Sequence, residues 1–426
     1  MKSNALKLCL LMVLAMSVLL PAAAYLGVLA ALILLIEARK SRQFLGKITE
    51  SRSALPMFLC IVLSVMFSRA ILLSLGAGVL IGLNLALYFI LAVEFENMDW
   101  RLCYRLLNIT CILASIYGLY QFFSGNININ ASWVDKQAFG ELVRIYSTLS
   151  NPNVFAGYLA LNLSFSIAKF KGIWEDKLLT LSILLSSICL LLTYSRGGFA
   201  AFCAAMLTLY LLKRRKGVLV YLFTVIALFA LINTTGNLNR ADVAIVYKDS
   251  SSLYRLEIWK SAVQMFLKRP ILGNGIGTTW YFLSGGSDKL FKIVLHSHNI
   301  FLQVAAEMGA AGLAAFIYLI VKNIMDGCKI LGELGESEEA AVVEGFLAGI
   351  AGIIVHGMVD AVIFIPTLSL ILVGYFALYK GVLKQVQCRT ERAEFLFYRQ
   401  GVLKLFSGKS TGGNKSYEEE NEACEA

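Results

Sequence analysis

The chain contains three histidines, and two of them stand one residue apart in Leu295-His296-Ser297-His298-Asn299. An imidazole with an ordinary pKa of about 6.5 can take and return a proton near neutral pH, so this turn is a candidate for proton transfer. Four arginines, Arg69, Arg144, Arg196 and Arg255, fall in segments that could face the same side. A guanidinium makes planar, charge-assisted bonds to phosphate and stays protonated. The chemistry these types allow together is proton abstraction beside a bound phosphate-bearing anion. Neither a cofactor nor a metal is expected. No Asp-x-Asp stands among the loop acids, and Asp135, Glu141, Asp242, Asp249, Glu257 and Asp288 are scattered. Gly273-Asn-Gly275-Ile-Gly277 follows no strand and reads as a turn rather than a dinucleotide fingerprint.

The elements that position these residues are membrane helices. Apolar residues make up 58% of the chain and charged ones 15%, and apolar runs recur from end to end, which predicts an all-α polytopic membrane protein. About twelve spans are expected, near Ala5–Leu20, Ala22–Ile36, Ala54–Phe67, Ala70–Val93, Leu102–Phe123, Val154–Phe170, Leu178–Tyr194, Phe199–Leu212, Val218–Ile232, His298–Ile320, Ala341–Met358 and Ala361–Tyr379. The first is expected to be a retained helix rather than a cleaved signal. The net charge of +10 clusters between spans and reports orientation, so no nucleic-acid partner is expected.

With the N-terminus cytoplasmic, about 26 of the 38 Lys and Arg residues fall inside and about 12 outside, as the positive-inside rule requires. The C-terminus is then also cytoplasmic. Two outer segments are longer than a turn, Ser124–Asn153 and a large loop over 233–297 between the ninth and tenth spans. All nine cysteines fall in spans or inside, which excludes a disulfide-stapled outer loop. The expected organisation is N-terminal helices over 1–123, a membrane domain over 124–380 and a partly disordered cytoplasmic tail over 381–426.

Several local patterns sharpen the site. A helix from Ser252 would group Trp259, Ala262, Val263 and Phe266 on one face, with Arg255 on that apolar side. Arg255 is then an ion-pair partner or an anion ligand. Arg196 lies in Ser195-Arg-Gly-Gly, where the glycines would let an anion approach the backbone. Arg144 precedes Asn151-Pro152-Asn153, a helix start with Asn151 as cap. Asn299, Gln303 and Glu307 recur at i, i+4 and i+8, which places Glu307 roughly 14 Å below His298. That stripe is either structural glue or a cavity lining. His356 and Asp360 lie one turn apart, and Asp360 could pair with one of the arginines.

Together, Ser147-Thr-Leu-Ser-Asn-Pro-Asn, Ser195-Arg-Gly-Gly, Arg255 with Trp259, Pro270-Ile-Leu-Gly-Asn-Gly-Ile-Gly, His298-Asn299 and Glu307-Met-Gly resemble the O-antigen ligase and O-antigen polymerase superfamily over roughly Arg144 to Pro366. The resemblance implies a metal-independent, inverting glycosyltransferase of the GT-C type at the outer face of the bacterial plasma membrane. Such an enzyme passes a glycan from undecaprenyl diphosphate to an acceptor hydroxyl, on the lipid A core in ligases or on another lipid-linked repeat in polymerases. It further implies that Arg196 and Arg255 hold the diphosphate and that His298 is the catalytic histidine. Arg69, Arg144, Asn153, His296, Asn299, Gln303, Glu307, His356 and Asp360 are the expected substrate-binding residues.

The residues support one part of this independently. Outside the membrane there is no nucleotide sugar, so the driving force must arrive with a donor whose lipid diphosphate is both leaving group and membrane address. A secondary transporter or lipid-linked glycan flippase is the rival, but matched broken helices in two halves are not apparent in the sequence.

Overall fold

The computed structural model describes residues 2–95, 98–125, 144–172, 174–235, 250–283 and 296–407. Among the described residues every regular element is helical. The N-terminal group is α1 (Lys2–Leu19), α2 (Pro21–Glu37), α3 (Ser41–Glu50), α4 (Leu55–Met66), α5 (Ile71–Glu94) and α6 (Trp100–Ser124). Next come α7 (Pro152–Lys169), α8 (Lys177–Leu192), α9 (Arg196–Lys213) and α10 (Lys216–Thr235). The last group is α11 (Ser250–Lys268), α12 (Thr279–Leu283), α13 (Ile300–Leu334), α14 (Glu338–Gly357) and α15 (Pro366–Ser407).

All twelve segments expected from hydropathy fall on helices, but among the described residues only six helices are long and apolar enough to count as spans by length and composition. A seventh is reached if α2 and α3, bent by 112°, are one broken span. The shortfall has a physical cause. α8 and the apolar part of α10 are short, and α7 is buried along almost its whole length among other helices. A helix shielded from lipid can carry Asn162, Ser164 and Ser166, all buried, and loses hydropathy by doing so.

α7, α9 and α14 form the packed centre, and small residues set their spacing. A Cβ on Gly198 would lie 2.2 Å from Ala156 Cβ, one on Gly345 2.8 Å from the Phe165 backbone, and one on Gly352 2.7 Å from the Ala201 carbonyl. Lipid tails are as apolar as the side chains, so close backbone approach supplies much of the attraction between such helices.

α13 is broken at Gly309, whose φ of 67° suits glycine. The backbone groups freed by the break are met by the turn after α11. Ala310 N donates to Pro270 O at 2.7 Å, Asn274 N to Ala306 O at 3.0 Å and Gly275 N to Glu307 O at 2.9 Å. Ser64 Oγ adds a bond to Glu307 O at 2.9 Å. Irregular backbone at membrane depth persists only where protein satisfies it, and this interlock does so. The Gly-rich turn and Glu307-Met-Gly are therefore two halves of one structure.

The contact pattern divides the chain after Leu383. The second unit begins at Lys384, and its described residues continue as helix to Ser407.

Candidate functional site

The site is assembled where α7, α9 and α13 begin and α14 ends. Asn151 caps α7 through its side chain, accepting from Asn153 N at 2.8 Å. Ser195 caps α9, and Asn299 caps α13 by accepting from Phe301 N and Leu302 N at 3.0 Å each. Each cap satisfies amides that the first helical turn leaves open and so fixes where the preceding loop enters.

Asp360, just past α14, is buried, and both its oxygens are used. Oδ1 lies 3.2 Å from His298 Nδ1 and 3.6 Å from His296 Nδ1, while Oδ2 accepts from Asn153 Nδ2 at 2.7 Å. Asn153 Oδ1 accepts from Arg144 Nη2 at 3.1 Å and from Ser195 Oγ at 2.9 Å, and Arg144 Nε donates to Thr193 O at 2.9 Å. A continuous network thus runs Arg144, Asn153, Asp360, His298. Asp360 reaches Arg144 only through Asn153; its direct partners are histidine and asparagine rather than one of the arginines. A guanidinium already committed to Thr193 and Asn153 leaves the carboxylate to the smaller groups.

The electrostatics follow from this packing. Burial pushes the Asp360 carboxyl up, but the bond to His298 and the neighbouring imidazoles outweigh it and hold the group well below the usual carboxylate range. His296 goes the other way. Burial lowers it to about 4 despite Asp360, and the electrostatic effects of His298 and Arg255 act in the same direction as burial. His296 is therefore neutral at pH 7, and it accepts from His298 N through Nδ1 at 3.3 Å. His298 itself has a φ of 54°, the left-handed region that costs a non-glycine residue strain. Ser147, Ser150 and Tyr194 share that conformation in the loops leading into α7 and α9.

Arg255 is half-buried, on the flank beside the stripe of α11 that buries Ile258, Ala262 and Met265 against α13. Its apolar-side placement agrees with the helical reading, but the buried stripe is rotated. Val263 is exposed, and Trp259 and Phe266 are only half-buried. Arg196 is exposed in the first turn of α9. On each glycine beside it, the side that a Cβ would occupy is filled by protein. A Cβ on Gly197 would meet His356 Cδ2 and Val359 Cγ2 at 3.0 Å each, and Gly198 faces Ala156. His356 is buried in the same contact.

Arg69 belongs to a different neighbourhood. Its amide donates to Asn274 O at 3.0 Å and its guanidinium sits 4.9 Å over the Phe282 ring, beside the turn that interlocks with α13. Asn299, Gln303 and Glu307 are occupied by the protein. Asn299 Nδ2 donates to Met358 O at 3.0 Å, Gln303 Oε1 accepts from Ser297 N at 2.8 Å, and Gln303 Nε2 donates to Glu307 Oε1 at 2.8 Å. Glu307 Oε1 also accepts from Thr279 N at 3.1 Å. The stripe thus ties the histidine turn to the segment after α11.

Gln121 was not singled out in the sequence, and Ser195 and Ser297 stood there only as members of motifs. Gln121 accepts from Ser147 N at 2.8 Å and donates to Ser147 O at 3.2 Å, holding the loop before α7. A glutamine near the end of an apolar run was the available signal for it.

His296, His298 and Asp360 bring one potential metal-ligating atom each within 4.8 Å of one another. The arrangement can bind an ion or orient a base.

Comparison with known proteins bears on the same region. A family model described as O-antigen ligase matches residues 181–317, a span that includes Arg196, Arg255, His296, His298, Asn299, Gln303 and Glu307. Among curated proteins, one from Rickettsia prowazekii named as a candidate polysaccharide ligase is 25% identical over 230 residues, 51% of this chain and 49% of its own length. A similarly named protein from Rickettsia typhi is 25% identical over 236 residues, 52% of this chain and 51% of its own. A third, from Rickettsia conorii, is 34% identical over 81 residues, 17% of this chain and 20% of its own. The matched stretches with the first two span about half the length of those relatives. The histidine turn, the Arg255 helix and the Arg196 turn thus lie inside the matched segment, and over residues 181–317 this multi-pass membrane protein is similar to the O-antigen ligase family.

Proposed function

We propose that this protein transfers a glycan from undecaprenyl diphosphate to an acceptor hydroxyl at the outer face of the plasma membrane, as a lipopolysaccharide ligase or a surface-polysaccharide polymerase. The observation that carries this reading is the Asp360–His298 contact. An ionised carboxylate at Nδ1 holds the proton there and leaves Nε2 as the basic nitrogen. Nε2 takes the proton of the acceptor hydroxyl as its oxygen bonds to the anomeric carbon. The bond from that carbon to the diphosphate oxygen breaks, and undecaprenyl diphosphate leaves with the electron pair. One displacement inverts the anomeric configuration. Arg255 and Arg196 meet the charge that grows on the leaving diphosphate. The Asn153–Arg144 arm holds Asp360 in place. A transporter would have no need of a base oriented in this way.

A metal-assisted reading is raised by the same His296, His298 and Asp360 cluster, and one experiment separates the two. His298→Ala is expected to bind undecaprenyl diphosphate about as well as the unaltered protein while turnover falls by roughly 10² or more. Turnover of the unaltered enzyme is expected to persist in excess EDTA. Normal turnover of the variant, or loss only of donor affinity, refutes the base assignment. Loss under EDTA restored by a divalent ion moves the cluster to metal chemistry.

A further inference from the structure

α11 carries two apolar stripes. Ile258, Ala262 and Met265 face the bundle. On the opposite side Leu253, Leu256, Val263 and Leu267 fall on one line at helical spacing and remain 49%, 48%, 40% and 66% exposed. Ile271, in the turn that follows, is 71% exposed. Between the stripes, one flank holds Glu257, Ser261, Gln264 and Lys268, and the other holds Arg255, Trp259 and Phe266. A helix in water has no use for the second stripe.

Three observations identify what covers it. The stripe is continuous with membrane-facing surface. Arg269 Nη1 donates to Phe67 O at 2.7 Å, which sets the end of α11 beside Phe67, itself 54% exposed, with Ile71 at 51% and Leu72 at 81% at the start of α5. α12 adds Trp280 and Tyr281, 38% and 48% exposed, the aromatic types that collect at headgroup level. Charge fits as well. The only ionisable group on the line is Lys260, whose stem can lie along lipid while its amine reaches the headgroups, and no acid interrupts the stripe.

We propose that α11 rests on the bilayer interface through Leu253, Leu256, Val263 and Leu267, with its Glu257–Lys268 flank in water and its Arg255–Trp259 flank toward the membrane. Arg255 is thereby carried at the depth of lipid phosphates, where a donor arriving laterally presents its diphosphate. That consequence rests on the function proposed above; the docking does not.

The test is photocrosslinking in the full-length protein, in nanodiscs of phosphatidylethanolamine and phosphatidylglycerol with a radiolabelled phospholipid. Benzoylphenylalanine replaces Leu256 or Leu267 on the stripe and, as controls, Gln264 or Lys268 on the polar flank. All four side chains are exposed, so the contacts of Ile258, Ala262 and Met265 with the bundle are left in place. Lipid label several-fold higher at 256 and 267 than at 264 and 268 supports docking. Equal label at all four positions, or background label at 256 and 267, overturns it. A crosslinked dimer at 256 and 267 in place of lipid also overturns it and gives the stripe to a second copy of the chain. Because no glycan transfer is measured, failure here leaves the proposed reaction standing, and failure of that reaction leaves this result standing.

Discussion

Asp360 is the residue through which the site groups are joined, and its two oxygens divide the labour. One orients His298 and the other fixes the Asn153 amide, so a change at either end is transmitted to His298. His296 gives this arrangement a pH signature. Its folded-state pKa of about 4 lies below the usual 6.5, so it contributes stability that is present above about pH 6.5. That contribution is lost as pH falls toward 4. Asp360, also depressed, adds stability that is present above the ordinary carboxylate pKa of about 3.9 and is lost only at lower pH, so the two windows separate. Thermal unfolding of the detergent-solubilised protein should therefore shift to lower temperature between pH 6.5 and pH 4, and His296→Gln should flatten that part of the curve. An unchanged slope in the variant would mean that another group titrates there. The histidines and Asp360 were visible in the sequence because ionisable groups are rare among apolar spans. Their pairing was not, since Asp360 is 62 residues from His298 and hydropathy carries no information on which helix ends meet.

At the level of elements, the break in α13 decides how the histidine turn is held. Gly309 and the Pro270–Gly275 turn pass backbone to backbone, so a Cβ at 309 would lie 2.2 Å from Ile271 O. Gly309→Ala meets both this clash and a positive φ, and it should destabilise by more than about 3 kcal/mol or abolish insertion. Gly332→Ala, in the same helix with no atom within 4 Å of its new Cβ, should be neutral or stabilise by roughly 0.5–1 kcal/mol. Melting temperatures in one detergent compare the two, and equal effects would show that the interlock is dispensable. The sequence marked both halves, as a turn and as a polar stripe. It could not show that they are one feature, because periodicity reports a helix's own faces and not the loop inserted at its break. The same limit produced the one-residue rotation of the buried stripe on α11, where two opposed apolar lines made the inward one ambiguous.

Across the whole molecule, the two ends of the central helices carry opposite chemistry. The network of Arg144, Asn153, Asp360 and the histidines stands at one end of α7, α9 and α14. At the other, Lys213 meets Glu344 at 2.6 Å, Lys169 meets Glu338 at 3.3 Å and Arg215 meets Glu336 at 3.5 Å. α9 has 18 residues, about 27 Å at 1.5 Å per residue, so these ends are separated by nearly the thickness of a hydrocarbon core. We propose that the basic end is the cytoplasmic one, even though its charges are partly paired, because orientation follows the basic residues rather than net charge. Reporter fusions after Lys216 and Lys384 should then read cytoplasmic. Fusions at Asn237 and Ser287, which lie outside the described residues, should read external. The outcome bears on the reaction itself. External activity at Lys216 would place His298 and Arg255 on the cytoplasmic face, where nucleotide sugars are available and a lipid diphosphate is no longer the required source of driving force, and the transfer proposed here would fail with it.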